Sequence, residues 1–291
     1  HDIEKRIFDI KKYCPNIKTI VYQHGFYWQV HIERSLTRFK NCISDYFLIF
    51  DDWHKKVFAN VKTKFIVSGS VRNNEKKIKT IKKKYDLMYI SEFRWLEKNT
   101  LEPPNKPNKT DNKFVFAKKA LEMRYSDTIH TYLLNILNQY CKAKKKKICV
   151  ALVANRNEKK GRVSRSDEIA FFNQYLDNYS TEDISSHDLA SKSKLNICIS
   201  SNLGPELLSI GQKVLFLNVN TIVTDWHFLE NKKEQGPFWY KGKNPEIIIK
   251  KVDDLLKMPH SKFTRIVNQS KVKMMLDKQN KILNKIILKY I

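Results

Sequence analysis

The stretch 196–218 reads N-I-C-I-S-S-N-L-G-P-E-L-L-S-I-G-Q-K-V-L-F-L-N and carries the densest chemical signal in the chain. An apolar run ends in Ser200-Ser201, Gly204 lies in the turn, a short helix opens near Glu206, and Gly211 closes it before the next apolar run. In open α/β sheets, ligands bind beyond the carboxyl ends of the strands. A helix starting there offers free N–H groups and a positive dipole end to a phosphate. The serine hydroxyls add donors without blocking close approach, and a carboxylate one turn in can accept hydrogen bonds from ribose hydroxyls. The same residues also suit a plain strand-to-helix turn in which a serine caps the helix. Both readings stand for Ser200, Ser201, Gly204 and Glu206.

Other strand-end residues carry weaker signals. His24-Gly25 follows the β-branched run K-T-I-V-Y-Q, where an imidazole could contact phosphate or move a proton, or simply cap a neighbouring helix. Asp51, in D-D-W-H, is either a catalytic carboxylate or a helix N-cap, and the cap is the simpler reading. Ser68-Gly69-Ser70 and Ser91-Glu92 are further small-residue turns. Phe238-Trp239-Tyr240 suits a sugar-facing surface or a core plug. No HxxxH pair occurs, the HxxE spacings at 1–4 and 227–230 fall on no predicted helix, and no carboxylate-x-carboxylate motif stands at a strand end, so no metal is expected.

These turns need strands to hold them, and the pattern supplies strands alternating with helices, as a parallel α/β architecture does. Strands are predicted at 18–23, 45–50, 65–67, 87–90, 148–153, 195–199 and 214–217. Helices are predicted at 51–60, 75–84, 116–142, 166–179, 185–192 and 245–256, with one long amphipathic helix over 261–290. The stretch 178–186 holds no strand by pattern, although a doubly wound domain wants one there. Residues 99–112, with three prolines among several Asn, read as a loop.

The chain has 291 residues, 42% of them hydrophobic, which excludes a disordered polyelectrolyte. Lys+Arg number 55 against 30 Asp+Glu, a formal charge of +25. That excess suits a polyanionic partner, or else a compositional bias toward Lys, Asn and Ile spread along the chain. No run approaches the ~18 apolar residues of a membrane span. His1-Asp2-Ile3-Glu4-Lys5 lacks the apolar core of a secretion signal. The five cysteines are odd in number, widely spaced and free of CxxC pairs, which fits a reducing compartment.

In order, K-T-I-V-Y-Q-H-G-F, D-Y-F-L-I-F-D-D-W, F-I-V-S-G-S-V-R-N and Y-I-S-E-F resemble the N-terminal half of bacterial surface-polysaccharide (capsule and O-antigen) glycosyltransferases of GT-B fold. The later S-H-D-L-A-S-K-S-K-L-N-I-C-I-S-S-N-L-G-P-E-L-L-S-I-G-Q-K-V-L-F-L-N is similar to their donor-binding half, and the paired serines resemble those of transferases using CMP-Kdo or CMP-sialic acid. No His-Pro pair of the kind those enzymes carry occurs between Ile148 and Ser200.

The resemblance implies two Rossmann-like parallel-sheet domains facing a cleft, with long C-terminal helices. The domains would be an acceptor-side domain over 1–84, shorter than usual, a nucleotide-sugar domain over 85–260 and a C-terminal helix over 261–291. It places His24 and Asp51 as the catalytic candidates and Ser91, Ser200, Ser201, Gly204 and Glu206 around the donor. The implied activity is metal-independent and cofactor-free transfer from a nucleotide-sugar, a CMP-sugar by preference, to a glycan or lipid-linked acceptor. The implied place is the cytoplasm, peripheral to the anionic inner face of the plasma membrane. A CDP-alcohol-dependent phosphotransferase of the teichoic-acid type is the alternative. Nucleic-acid binding comes last, since no such motif is visible.

Overall fold

The structure is a computed structural model that describes residues 3–23, 44–58, 63–76, 81–93, 113–153, 164–219, 233–270 and 276–290. The chain divides into two compact units, one holding the described residues up to 76 together with 276–290, the other holding 81–270.

In the first unit, α1 (Ile3–Tyr13) precedes β1 (Ile20–Tyr22), β2 (Tyr46–Ile49), α2 (Asp52–Val57), β3 (Lys64–Val67) and the one-turn α3 (Val71–Asn74). The strands are parallel in the order β1-β2-β3. Register sets Val21, Phe47 and Phe65 in one row, with Ile49 and Val67 in the row two residues on. Because side chains alternate along a strand, these five share a face, and Ile7 of α1 with Phe58 beyond α2 closes over them. Fully burying each such side chain contributes roughly 1.5–3 kcal/mol.

The single long helix expected over 261–290 is interrupted. Helix α9 (His260–Ser270) ends, and after the chain re-enters the described residues Leu276 bridges Gly69 of the first unit. A short turn, Lys278–Asn280, then leads into α10 (Lys281–Leu288). The cause lies in Asp277-Lys278-Gln279-Asn280. Gln279 and Asn280 take left-handed backbone conformations, which Asn tolerates better than most residues, and the Asp277 carboxylate accepts the Ile282 N–H at 2.8 Å. Asn74 clamps the break: its amide donates to Ser68 O (2.8 Å) and Asn280 Oδ1 (2.9 Å), while its Oδ1 accepts the Asp277 N–H (3.0 Å).

The helix expected over 75–84 is corrected too. The helical turn comes earlier, capped by Ser70, residues 81–84 hold no helix, and 77–80 lie outside the described residues. The Lys84 and Tyr85 N–H groups both bond Lys192 O, and the crowded lysines of that stretch disfavour a helix.

The second unit runs β4 (Tyr85–Ile90), α4 (Lys113–Lys144), β5 (Ile148–Ala151), α5 (Arg165–Asn173), β6 (Tyr179–Ser180), α6 (Ser186–Ser191), β7 (Ser193–Cys198), α7 (Leu203–Ser209), β8 (Val214–Asn218), β9 (Gln235–Gly236), β10 (Trp239–Lys241), α8 (Pro245–Lys257) and α9. Among the described residues the sheet order is β6-β5-β4-β7-β8-β10-β9. All neighbours are parallel except β9, which is antiparallel to β10. Strands β5 and β8 are buried at every position, which explains their unbroken apolar runs.

Two expectations change here. The stretch 178–186 does hold a strand, β6, but it pairs with β5 over only two residues, too few to leave a pattern. Helix α5 accordingly stops at Asn173 instead of reaching Tyr179. The aromatic trio lies at the last parallel strand: Phe238 is fully buried among the rings of Phe216, Trp239 and Phe263, so it serves the core.

Candidate functional site

Without the antiparallel β9, the second sheet has a doubly wound order. The chain starts at the centre in β4, steps outward to β5 and β6, returns, and continues outward the other way through β7, β8 and β10. The winding reverses between β4 and β7, and in such sheets the crevice outside the carboxyl ends at that switch point is where ligands bind. β4 ends into Ser91-Glu92 and β7 into Ile199-Ser200-Ser201. The topology therefore brings together residues more than a hundred positions apart in sequence.

Their contacts are specific. Glu92, nearly buried, accepts the Ser200 N–H at 2.7 Å through Oε1 and the Ser200 hydroxyl through Oε2. Ser91 Oγ donates to Glu168 Oε1 at 2.5 Å, and the same oxygen accepts the Val153 N–H at 2.9 Å. Glu168, on α5, thus ties the end of β4 to the segment leaving β5.

Behind Glu92 stands His130 of α4, its Nε2 3.9 Å from Glu92 Oε2 and its Nδ1 2.5 Å from the Tyr89 hydroxyl. Burial pushes His130 down to about 4 and Tyr89 well up, so at neutral pH the imidazole is uncharged and the phenol keeps its proton. The carboxylate opposite favours the Nε2–H tautomer, with the tyrosine donating to Nδ1. Sequence reading named Glu92 only as part of a strand-end turn and missed His130 and Glu168, because a lone Glu or His inside a helix carries no spacing signal.

The predicted residues are placed as follows. Ser200 is held by Glu92. Ser201 accepts the Leu203 N–H at 3.3 Å, a local turn contact. Gly204 is buried with its α-carbon facing β7 and β8: a Cβ there would lie 2.4 Å from Cys198 Sγ and 2.9 Å from Phe216 Cε1. It lets α7 seat closely on the strands. Glu206 Oε2 lies 3.3 Å from His187 Nε2 of α6. In the first unit, Asp51 accepts the His54 N–H (3.2 Å) and faces His54 Nδ1 at 2.7 Å, so it caps α2 and orients a buried imidazole. His24 lies outside the described residues.

Among the described residues Cys141, Cys149 and Cys198 are buried and Cys14 is exposed; burial pushes the Cys141 and Cys149 thiols up to about 12 and raises Cys198 well above its ordinary value, which marks them as packing residues. Among the described residues no group of three or more His, Cys, Asp or Glu could hold a metal ion, and no helix is long and apolar enough to cross a membrane. A cavity of about 420 Å³ lined by Lys251, Lys257, Met258 and Lys262 lies near Lys213, which leads into the amino end of β8, away from the switch point.

A family whose model is described as "putative O-antigen biosynthesis protein" matches residues 26–291, and the chain belongs to that family. No curated protein matches it. Among solved structures, trehalose-6-phosphate synthase OtsA is similar over 100% of this chain and 71% of its own, at 9% identity and a TM-score of 0.51. The UDP-GlcNAc 2-epimerase of Methanocaldococcus jannaschii, solved with UDP-GlcNAc and UDP, is similar at 12% identity and a TM-score of 0.49, covering 98% and 79% of the two chains. S. aureus TarM, solved with fondaparinux, α-GlcNAc-glycerol and UDP, gives 10% and 0.47, and the chain spans 50% of its length. At such identities the likeness is one of fold, and the fold is GT-B-like: two Rossmann-like α/β units with helices at the C-terminal end.

Proposed function

We propose, from that family membership, that the protein is a glycosyltransferase that binds a nucleotide-sugar at the β4/β7 switch point. It passes the sugar to a surface-polysaccharide or lipid-linked glycan acceptor on the cytoplasmic side of the membrane. The observation that carries the reading is the pairing of Ser91-Glu92 with Ser200-Ser201 across the point where the winding reverses. A donor phosphate at Ser200 would compete with Glu92 for the same N–H and hydroxyl, and Ser201 and the first turn of α7 lie next to it. Glu206, one turn into α7, is the candidate for the ribose. The serine pair favours a CMP-sugar. Transfer also needs a base for the acceptor hydroxyl and a stabilised leaving phosphate. His24 and Asp51 are the candidate bases, and backbone N–H groups with basic side chains would serve the phosphate without a metal.

The test is thermal unfolding with CMP, CDP and UDP. A site of this kind filled to 100 times its Kd stabilises by about 2.7 kcal/mol. One nucleotide should raise Tm, and Ser200→Ala and Glu206→Ala should each reduce that rise while staying folded. No shift with any of the three overturns the proposal. Product linkage separates the alternative, since a phosphodiester instead of a glycoside would identify a CDP-alcohol phosphotransferase.

A further inference from the structure

Exposed large hydrophobic side chains gather in the first unit: among the residues whose exposure is described they are Phe8, Ile10, Tyr13, Ile17, Tyr22, Ile287, Leu288 and Tyr290, and none of them belongs to the second unit. Part of this set forms one continuous surface. The three parallel strands begin at Ile20, Tyr46 and Lys64, which defines the amino edge of the sheet. On that edge the Tyr46 and Tyr290 hydroxyls meet, with ring centroids 6.1 Å apart. Lys18 and Lys289 place their ammonium groups 5.9 and 5.8 Å from the Tyr290 ring, and Lys64 lies 5.8 Å from the Tyr46 ring. Lys11 reaches across to Asp45 at 2.5 Å and to Ile17 O at 2.8 Å, which pins the exposed Tyr13–Ile17 turn to the same edge.

Helix α10 completes the surface. No residue of it is buried. Ile282, Leu283 and Ile286 are half-covered, while Leu288, 73% exposed, projects among Lys281, Lys285 and Lys289, which recur every four residues along one side. The carboxylate on this edge, Asp45, is ion-paired with Lys11 and, at 3.6 Å, with Lys18, so its charge is offset locally by those two lysines and does not reach Lys281, Lys285 and Lys289 as a paired partner. Burial works to raise its pKa, but hydrogen bonds from Lys11 and Thr19 outweigh it and hold the group ionised and engaged.

A surface of tyrosines and protruding aliphatic side chains fringed by lysines matches the boundary between lipid headgroups and acyl chains. Tyrosine rings settle there, lysine stems lie along the apolar layer, and ammonium groups reach anionic phosphates. A soluble polyanion would match the lysines but leave Leu288 and Tyr13 in water. We propose that this amino-edge surface, centred on α10 and Tyr290, docks the protein on an anionic bilayer. It leaves free the carboxyl edge of the same sheet, where the β1 and β2 strands end. The inference rests on the surface of the first unit and not on the donor-site reading, so either can fail alone.

The experiment is co-sedimentation of the full chain with vesicles of phosphatidylcholine alone or mixed with phosphatidylglycerol. Binding is expected to the mixed vesicles only, and to weaken with salt. At about fivefold per lysine, Lys285→Gln/Lys289→Gln should weaken partitioning about 25-fold. Leu288→Glu should weaken it at least tenfold, since it removes one inserted aliphatic side chain. All three positions are exposed, so circular dichroism should be unchanged. Lys257→Gln/Lys262→Gln in the second unit removes the same charge and should leave binding within twofold. The proposal is overturned if mixed vesicles do not bind, or if the second-unit pair weakens binding as much as the α10 pair. It is also overturned if Leu288→Glu breaks up a dimer in light scattering while vesicle binding persists.

Discussion

Gly204 offers a direct test of whether the turn before α7 is shaped by packing or by ligand. A Cβ at this position would stand 2.4 Å from Cys198 Sγ, 2.9 Å from Cys198 Cβ and 2.9 Å from Phe216 Cε1. Relaxed contacts between such atoms lie near 3.5–4 Å, so the atoms must part by roughly 1 Å. Neither partner has room. Cys198 is fully buried with its thiol directed at Ser201 O, and Phe216 is wedged against Phe238. The remaining movement is for α7 to lift from β7 and β8. Overpacking of this kind costs about 1–3 kcal/mol. Alanine's better helix propensity returns up to about 1 kcal/mol of that. Gly204→Ala should therefore lose about 1–2 kcal/mol, a Tm drop on the order of 2–8 °C. Cys198→Ala removes the worst clash and leaves the two at 2.9 Å, so the double variant should lie about 0.5–1 kcal/mol above the sum of the singles. Calorimetry of all four proteins, with and without the nucleotide that stabilises wild type, gives the cycle. An unchanged Tm for Gly204→Ala without nucleotide, with only the ligand-induced rise lost, would refute the packing argument and return Gly204 to the donor. Strict additivity would refute the specific clash.

His130 predicts an acid-sensitive fold. Its folded pKa, pushed by burial to about 4, lies below the ordinary value of 6.5, so the unfolded chain takes up a proton before the folded one does. Its contribution is complete above pH 6.5 and is lost as pH falls toward 4, at up to about 1.4 kcal/mol per pH unit and about 3 kcal/mol in all. His130→Gln should flatten the urea-derived stability profile in that window, and parallel profiles for the two proteins would sink the assignment. Asn74→Ala strips partners from Ser68 O, Asn280 Oδ1 and the Asp277 N–H at once and should cost about 2–4 kcal/mol. Amide exchange at Asp277 and Ile282 should speed up by at least tenfold, and unchanged protection there would mean that the clamp is elsewhere.

The buried strands were readable because both faces are covered, so I-C-V-A and V-L-F-L-N leave no polar alternation to misread. The order of those strands was not readable from any one of them, since it depends on which way each crossover turns. The switch point follows from that order, and with it Glu92. Local sequence marks Glu92 only as part of a Ser-Glu turn; its role comes from Ser200, 108 positions later. The serine pair shows the converse problem. Its composition suggested free donors, yet one serine's N–H and hydroxyl are both engaged by a carboxylate that the local sequence does not contain. The break before α10 was legible in principle. Asp277 lies ahead of K-I-L with an Asn between, a start signal that the amphipathic period of 261–290 concealed.

The charge of +25 divides once its lysines are placed. Some of them complete the fold. Lys213 donates to Leu255 O and Met258 O at the end of α8, Lys83 to Ser191 O at the end of α6, and Lys251 to Gly236 O. Carbonyls at helix ends have no intrahelical partner, and a cation satisfies them while meeting the negative end of the dipole. Burial lowers the pKa of all three lysines, and Lys83 is lowered further by Lys213, so these charges are held at a cost and are not offered to a partner. Others are ion-paired, as Lys84 and Lys192 are, sharing the single carboxylate of Glu182. Lys281, Lys285 and Lys289 fall in neither group: they are exposed, evenly spaced and set beside apolar side chains. A nucleic-acid footprint would spread free cations along a groove with phosphate spacing, whereas these three border hydrophobic residues of the first unit. Among the described residues the lysines therefore divide between helix capping, ion pairing and exposed positions in both units, which is not the pattern of one polyanion site.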